Sequence, residues 1–150
     1  MIIIGYQGIG KSTLANKNIN YIDLESSNFF IDGKRQENWF IIYCNIANHL
    51  SEQGKNVFVS SHEVVRESLK CSKEKVVVVY PSLKLKEQWL EKLQKRYNIT
   101  QLEKDYKALM NAKDRYEENI KELQNNDFTK IEIKDINYDL ERILQQEKRI

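Results

Sequence analysis

Short uninterrupted apolar runs alternate along this chain with longer stretches of helical period. Met1-Ile2-Ile3-Ile4, closed by Gly5, reads as a buried strand, and Lys11 to Asn16 as the start of a helix. Asn20 to Leu24 reads as a second strand that runs out into Glu25-Ser26-Ser27. From Asn38 to Gln53 the apolar positions 39, 42, 43, 46, 47 and 50 repeat with a helical spacing, and Gly54 stands where such a helix is capped. Val57-Phe58-Val59 is a third strand, Glu63 to Leu69 a short helix, and Val76 to Tyr80 a fourth strand stopped by Pro81. A helix is expected over Ser82 to Tyr97, with Ser82 near its cap, and a closing strand and helix over Lys130 to Ile133 and Tyr138 to Arg149.

Between these lies one more periodic segment. Leu102, Tyr106, Leu109, Lys113, Tyr116, Ile120 and Leu123 form a single stripe of a long helix, interrupted by Lys113. The stripe reads as packing within the chain, with a lid or a partner surface, including a homodimer through residues 102–123, as the alternative. Strands separated by helices imply βαβ units and a mainly parallel sheet. Strands that are apolar throughout are expected where helices cover both faces. The fold class is therefore α/β, with residues 1–150 as a single domain.

Composition narrows the classes. With 150 residues the chain can bury a sizeable core. Its 24 basic and 22 acidic side chains leave a net charge of +2, so a broad polyanion-binding surface is not expected. Residues 1–97 carry 14 basic and 10 acidic groups, net +4, which puts any anion-facing site in the first two thirds. Cys44 and Cys71 are too few for a disulfide framework and read as reduced thiols of a cytoplasmic protein. No apolar run is long enough for a membrane span, and the first motif begins so early that a leader is not expected.

That motif is Gly5-Tyr6-Gln7-Gly8-Ile9-Gly10-Lys11-Ser12, which fits G-x-x-x-x-G-K-[ST] at every fixed position and lies between a strand and a helix. Glycines let the backbone curl until successive amides face one anion, and the helix that follows offers its positive end to the same anion. Residues Gln7, Gly8, Ile9, Gly10, Lys11, Ser12 and Thr13 are therefore the expected contacts of a nucleoside triphosphate, ATP, with the Ser12 hydroxyl on Mg²⁺.

The second strand delivers Asp23 and Glu25 to the carboxyl edge of the sheet, on the same side of an extended segment. They are candidates for holding Mg²⁺ or its waters, or for activating an acceptor hydroxyl. The third strand exits through Ser60-Ser61-His62 with no carboxylate before Glu63, unlike an NTPase that fixes Mg²⁺ with an aspartate there. Arginines suit phosphate because their planar fork meets two oxygens at once. Arg35 and Arg66 fall near the cleft mouth, whereas Arg96 and Arg115 fall where a closing segment could reach a transferring group. His62 reads as a strand-end ligand or, more blandly, a capping histidine.

Taken together, Gly5 to Thr13, the strand-end Asp23, the Val59-Ser60-Ser61-His62 exit with Arg66, and the Tyr80-Pro81 exit resemble the nucleoside-monophosphate-kinase-like branch of P-loop proteins, in the style of small phage-type nucleotide kinases. The resemblance implies a three-layer α/β/α P-loop fold whose five parallel strands run in the order 2-3-1-4-5. It also implies an acceptor-binding segment near residues 25–50 and a helical lid or insertion near 97–125. Where the adenylate-kinase type of loop has proline and glycine, this chain has Gln7 and Ser12, and its lid region holds only Arg115 plus lysines. The strand-2 carboxylates instead look like those of shikimate, gluconate and polynucleotide kinases. The expected activity is Mg-ATP-dependent phosphoryl transfer to a nucleotide. Lys11, Asp23, Arg66 and Arg96 are its catalytic candidates, and Asp23, Glu25, Arg35 and Arg66 would bind the acceptor. Two alternatives remain. One is a kinase of hydroxyl groups on a sugar, a small acid or a polynucleotide 5′ end, the one role in which nucleic acid is expected as a partner. The other is a slow or non-catalytic ATP-binding module.

Overall fold

The computed structural model describes residues 1–148. Five strands, β1 (Ile2–Gly5), β2 (Tyr21–Asp23), β5 (Asn56–Val59), β6 (Val76–Pro81) and β7 (Thr129–Ile133), form one all-parallel sheet. Its order is β2-β5-β1-β6-β7. Strands β3 (Phe30–Ile31) and β4 (Lys34–Arg35) are a separate antiparallel hairpin that the apolar pattern does not predict. Counted without them, the sheet runs second, third, first, fourth, fifth, as expected; counted with them, the same order reads 2-5-1-6-7.

Strands β1, β5 and β6 are buried along their whole length. That is why they read as continuous apolar runs: no residue faces water, so no alternation survives. Among the described residues six α-helices accompany the sheet: α1 (Lys11–Lys17), α2 (Trp39–Glu52), α3 (Glu63–Leu69), α4 (Lys86–Thr100), α5 (Glu103–Gln124) and α6 (Leu140–Lys148). The arrangement is compatible with a three-layer α/β/α fold. Arg149, expected in the last helix, lies outside the described residues.

Several details differ from the sequence reading. The helix expected from Ser82 begins as a 3-10 turn over Leu83–Leu85, and Ser82 is not a side-chain cap. Ser82 is instead buried, its amide donating to the Ile133 carbonyl and its own carbonyl accepting from the Tyr116 hydroxyl. In α2 the buried face is Tyr43, Cys44, Ala47 and Ser51, while Ile42 remains 57% exposed. Ser51 is buried because its hydroxyl accepts from the Met1 amine at 2.8 Å and donates to Glu74 at 2.6 Å. An apolar count cannot register that face.

The long stripe is buried from Leu109 through Ala112, Tyr116, Ile120 and Leu123, against α4 and β6. Of its members, Leu102, Tyr106 and the interrupting Lys113 stay exposed. Helix α5 is kinked at Arg115, whose φ of −135° and ψ of 22° leave the helical region. Among the described residues no helix is long and apolar enough to cross a membrane.

Candidate functional site

All five parallel strands end on one side, and the connections leaving them enclose a cavity of about 1200 Å³. Its floor is the turn after β1. Gly8 (φ 88°) and Gly10 (φ 106°) adopt left-handed backbone there, where a side chain is strained. At Gly8 a Cβ would also lie 2.9 Å from a Leu93 methyl and 3.1 Å from the Trp89 ring nitrogen. Gly10 caps α1 with no side-chain hydrogen bond, and the first turn holds no acidic residue. The amides of Lys11, Ser12 and Thr13 consequently have no intrahelical acceptor and suit an anion. Leu14 is the first to bond back, to Gly10.

The turn is held from behind. The Trp89 indole donates to the Gln7 carbonyl at 2.9 Å, and the Tyr138 hydroxyl to the Ile9 carbonyl at 2.6 Å. The two rings stack with centroids 6.0 Å apart. Lys92 lies over both, 4.5 Å and 4.8 Å from their centroids, and donates to the Tyr138 hydroxyl at 2.8 Å. Burial, with Arg96 nearby, pushes the Lys92 ammonium down to about 8. From α5, the Gln7 side chain is met by the Ala108 carbonyl (3.0 Å) and Asn111 Oδ1 (3.3 Å). Ile9, expected among the ligand contacts, is tied into the turn itself. Its side chain is buried, its amide donates to Tyr6, and its carbonyl is taken by Tyr138.

Gln7, Gly8, Gly10, Lys11, Ser12, Thr13, Asp23, Glu25, Arg35, Arg66, Arg96 and Arg115 all line the cavity. Lys11 donates to the Gly5 carbonyl at 3.4 Å, and burial lowers its pKa against the opposing pull of Asp23 and Glu25. Asp23 is raised, first by burial, with Glu25 adding to the shift and Lys11 opposing it. Lys11 and Asp23 thus line one partly dry cavity, each less charge-tolerant than in water. Glu25 accepts from Ser27 at 3.1 Å and meets Lys104 at 3.8 Å.

One wall of the cavity is the hairpin. The Arg35 guanidinium lies 4.6 Å from the Phe30 centroid and 4.9 Å from that of Trp39, and Nη2 donates to Ser26 Oγ at 3.1 Å. Its Nε is buried without a partner among the described residues. The His62 ring packs edge-on against Trp39, with Nδ1 2.8 Å from Ser60 Oγ. Desolvation, then Arg35 and Lys11, hold it below its ordinary pKa, and it gives α3 no side-chain cap. Arg96 reaches the cavity but is committed elsewhere. Its Nε pairs at 2.9 Å with the buried Asp105, which also accepts from Thr100.

Tyr43 joins the two strand ends that carry these groups. Its hydroxyl donates to the Leu24 carbonyl at 2.6 Å and accepts from the Ser60 amide at 2.8 Å. Tyr43→Phe leaves both backbone groups short of a partner, so urea unfolding should show a loss of about 1–3 kcal/mol. An unchanged midpoint would mean that water replaces the hydroxyl.

Sequence reasoning missed Lys92, Trp89, Tyr138, Tyr43 and Lys104. None stands in a motif. Lys92 and Lys104 line the cavity, while Trp89 and Tyr138 support its turn and Tyr43 its strand ends from behind, because the topology returns α2, α4, α5 and the segment before α6 to the same sheet edge. Among the described residues no group of three or more His, Cys, Asp or Glu side chains could hold a metal ion. Ser12, Asp23 and Glu25 do offer the hard oxygen donors that suit Mg²⁺, which needs only one or two protein ligands beside phosphate oxygens and water. No protein-family model matches the chain, and no curated protein matches its sequence.

Proposed function

We propose that this chain is a P-loop phosphotransferase that moves the γ-phosphoryl group of ATP, with Mg²⁺, to a nucleotide, a (deoxy)nucleoside monophosphate. The observation that carries the reading is the Gly5–Ser12 turn. It has left-handed Gly8 and Gly10, free first-turn amides and Lys11, and it opens on a cavity that also holds Arg35, Arg66 and Arg115. Bound Mg-ATP would supply the transferable phosphoryl group. The amides of residues 10–13 and Lys11 would hold the donor phosphates, with the Ser12 hydroxyl and Asp23 or Glu25 on the Mg²⁺ side. Arg35, fixed between two rings, and Arg66 would orient the acceptor. Arg115, whose partners Glu118 and Glu122 are both exposed, is the guanidinium over the cavity more easily released to a substrate than Arg96, which the buried Asp105 holds.

A second reading, transfer to a neutral hydroxyl, is favoured by one observation. Asp23 lines the cavity at the end of β2, where burial raises its pKa, as suits a general base. The stripe that a non-catalytic ATP-binding module would offer a partner is buried within the chain from Leu109 onward.

ADP release from Mg-ATP, measured against nucleoside monophosphates, sugars and 5′-hydroxyl oligonucleotides, separates these readings. Stimulation by a nucleoside monophosphate is expected. Arg35→Gln should then raise the acceptor KM by roughly tenfold, the loss of one charge-assisted contact. Stimulation by sugars or oligonucleotides alone would replace the first reading with the second. Failure to bind Mg-ATP at all would end both.

A further inference from the structure

Glu122 reaches from the last turns of α5 toward the cavity and stands between two arginines from different elements. One carboxylate oxygen lies 3.4 Å from Nη2 of Arg66, the other 3.4 Å from Nη2 of Arg115. Arg66 is set in place beforehand: its Nε donates to the Ser61 carbonyl at 3.1 Å, and its side chain is only 12% exposed. Arg115 stands at the kink of α5 and also pairs with Glu118 at 3.0 Å.

Both contacts to Glu122 are long for charge-assisted bonds, which favour about 2.7–2.9 Å. Glu122 is also half-exposed, so water screens what remains of the pairing. One carboxylate stretched between two guanidinium forks satisfies neither. A phosphate monoester near neutral pH carries close to two charges and three acceptor oxygens, enough to meet both forks bidentately.

We propose that Glu122 is a built-in competitor for a phosphate dianion: it occupies the Arg66–Arg115 site in the empty protein and is displaced when a phosphomonoester arrives. The inference rests on the phosphotransferase reading and deepens it. A nucleoside monophosphate brings the charge needed to evict the carboxylate, whereas a neutral sugar does not. Glu122 thereby contributes to acceptor choice without touching the transferred group.

Calorimetric titration of inorganic phosphate into the full chain tests this, with wild type, Glu122→Gln, and Glu122→Gln combined with Arg66→Gln. None of these changes touches the glycine turn, so phosphate bound there cancels in the comparison. Glu122→Gln is expected to bind phosphate roughly fivefold tighter, the worth of a half-exposed ion pair. Adding Arg66→Gln should return affinity to the wild-type level or below. A nucleoside monophosphate should show the same gain and its nucleoside none, which separates phosphate recognition from base recognition. Unchanged or weaker phosphate binding by Glu122→Gln overturns the inference, as does a gain that survives Arg66→Gln. A parallel Mg-ATP titration keeps the two claims apart. Loss of ATP binding in wild type would sink the phosphotransferase reading, while the phosphate series still decides the role of Glu122.

Discussion

In the ADP-release assay, Lys11→Met is expected to lower turnover by roughly 10²–10³-fold, the cost of losing one fixed group that stabilises developing phosphate charge, without lowering the melting temperature. The two halves of this expectation come from one fact. The Lys11 ammonium is dehydrated in the cavity, and burial holds its pKa below the ordinary lysine value despite Asp23 and Glu25. The folded chain therefore holds that proton less tightly than the unfolded chain does. At every pH below the folded-state pKa the charge counts against folding, and the penalty is relieved as pH climbs from that value to the unfolded one of about 10.4. Methionine fills similar space with no charge, so at neutral pH the variant should melt at or above the wild-type temperature. Asp23 is the mirror case. Its pKa is raised by burial, so its ionised form counts against folding above the folded-state pKa, with relief as pH falls toward about 3.9. Asp23→Asn should likewise keep or gain stability. Groups held at a cost to the fold are candidates for work in the site. Thermal melting of Lys11→Met several degrees below wild type, or turnover within a fewfold of it, would make Lys11 structural instead.

What could be read from the chain follows the range of the interactions involved. The glycine turn is local: Gly5 to Ser12 carry its backbone shape and its cation within eight consecutive positions, and the structure gives Gly8 and Gly10 the left-handed conformations that shape needs. The inner strands were legible because two covered faces demand apolar residues without a break. The hairpin was not, since two-residue strands have no period to detect. Its signal was the turn: Asp32 (φ 51°) and Gly33 (φ 78°) form the Asp-Gly connection that tight hairpins prefer. The covering α4 and α5 helices were legible as helices but not as a set of bonds. Asp105 on Arg96, Glu122 across Arg66 and Arg115, and Ala108 on Gln7 are decided by where the helices land. The same holds for ring stacking between Trp89 and Tyr138, which belong to segments joined through all of α5 and β7.

That stack supports the second large expected effect. Trp89 is fully buried and among the largest such side chains, and Trp89→Ala should cost about 3–5 kcal/mol in urea unfolding, as large-to-small core changes do. Against a typical total of about 5–15 kcal/mol, that leaves a marginal protein. Trp89→Phe is the more informative change. It keeps most of the volume that packs against Gly8 and Tyr138 but removes the indole donor, leaving the Gln7 carbonyl unpaired behind the turn. An unpaired buried carbonyl costs about 1–3 kcal/mol, so the variant should fold, with a lowered midpoint. Its second effect is local. With one of two rear bonds gone, the middle of the turn keeps the Tyr138 bond to Ile9 and the α5 contacts to the Gln7 side chain, and its amides are held less firmly for a ligand. Affinity for Mg-ATP should fall by more than affinity for the acceptor, whose arginines stand on other elements. Combining Trp89→Phe with Tyr138→Phe should weaken Mg-ATP binding further than either change alone. If Trp89→Phe lowers stability yet leaves Mg-ATP affinity at the wild-type value, the indole serves the core and not the turn, and the rear clamp has no part in holding the donor phosphates.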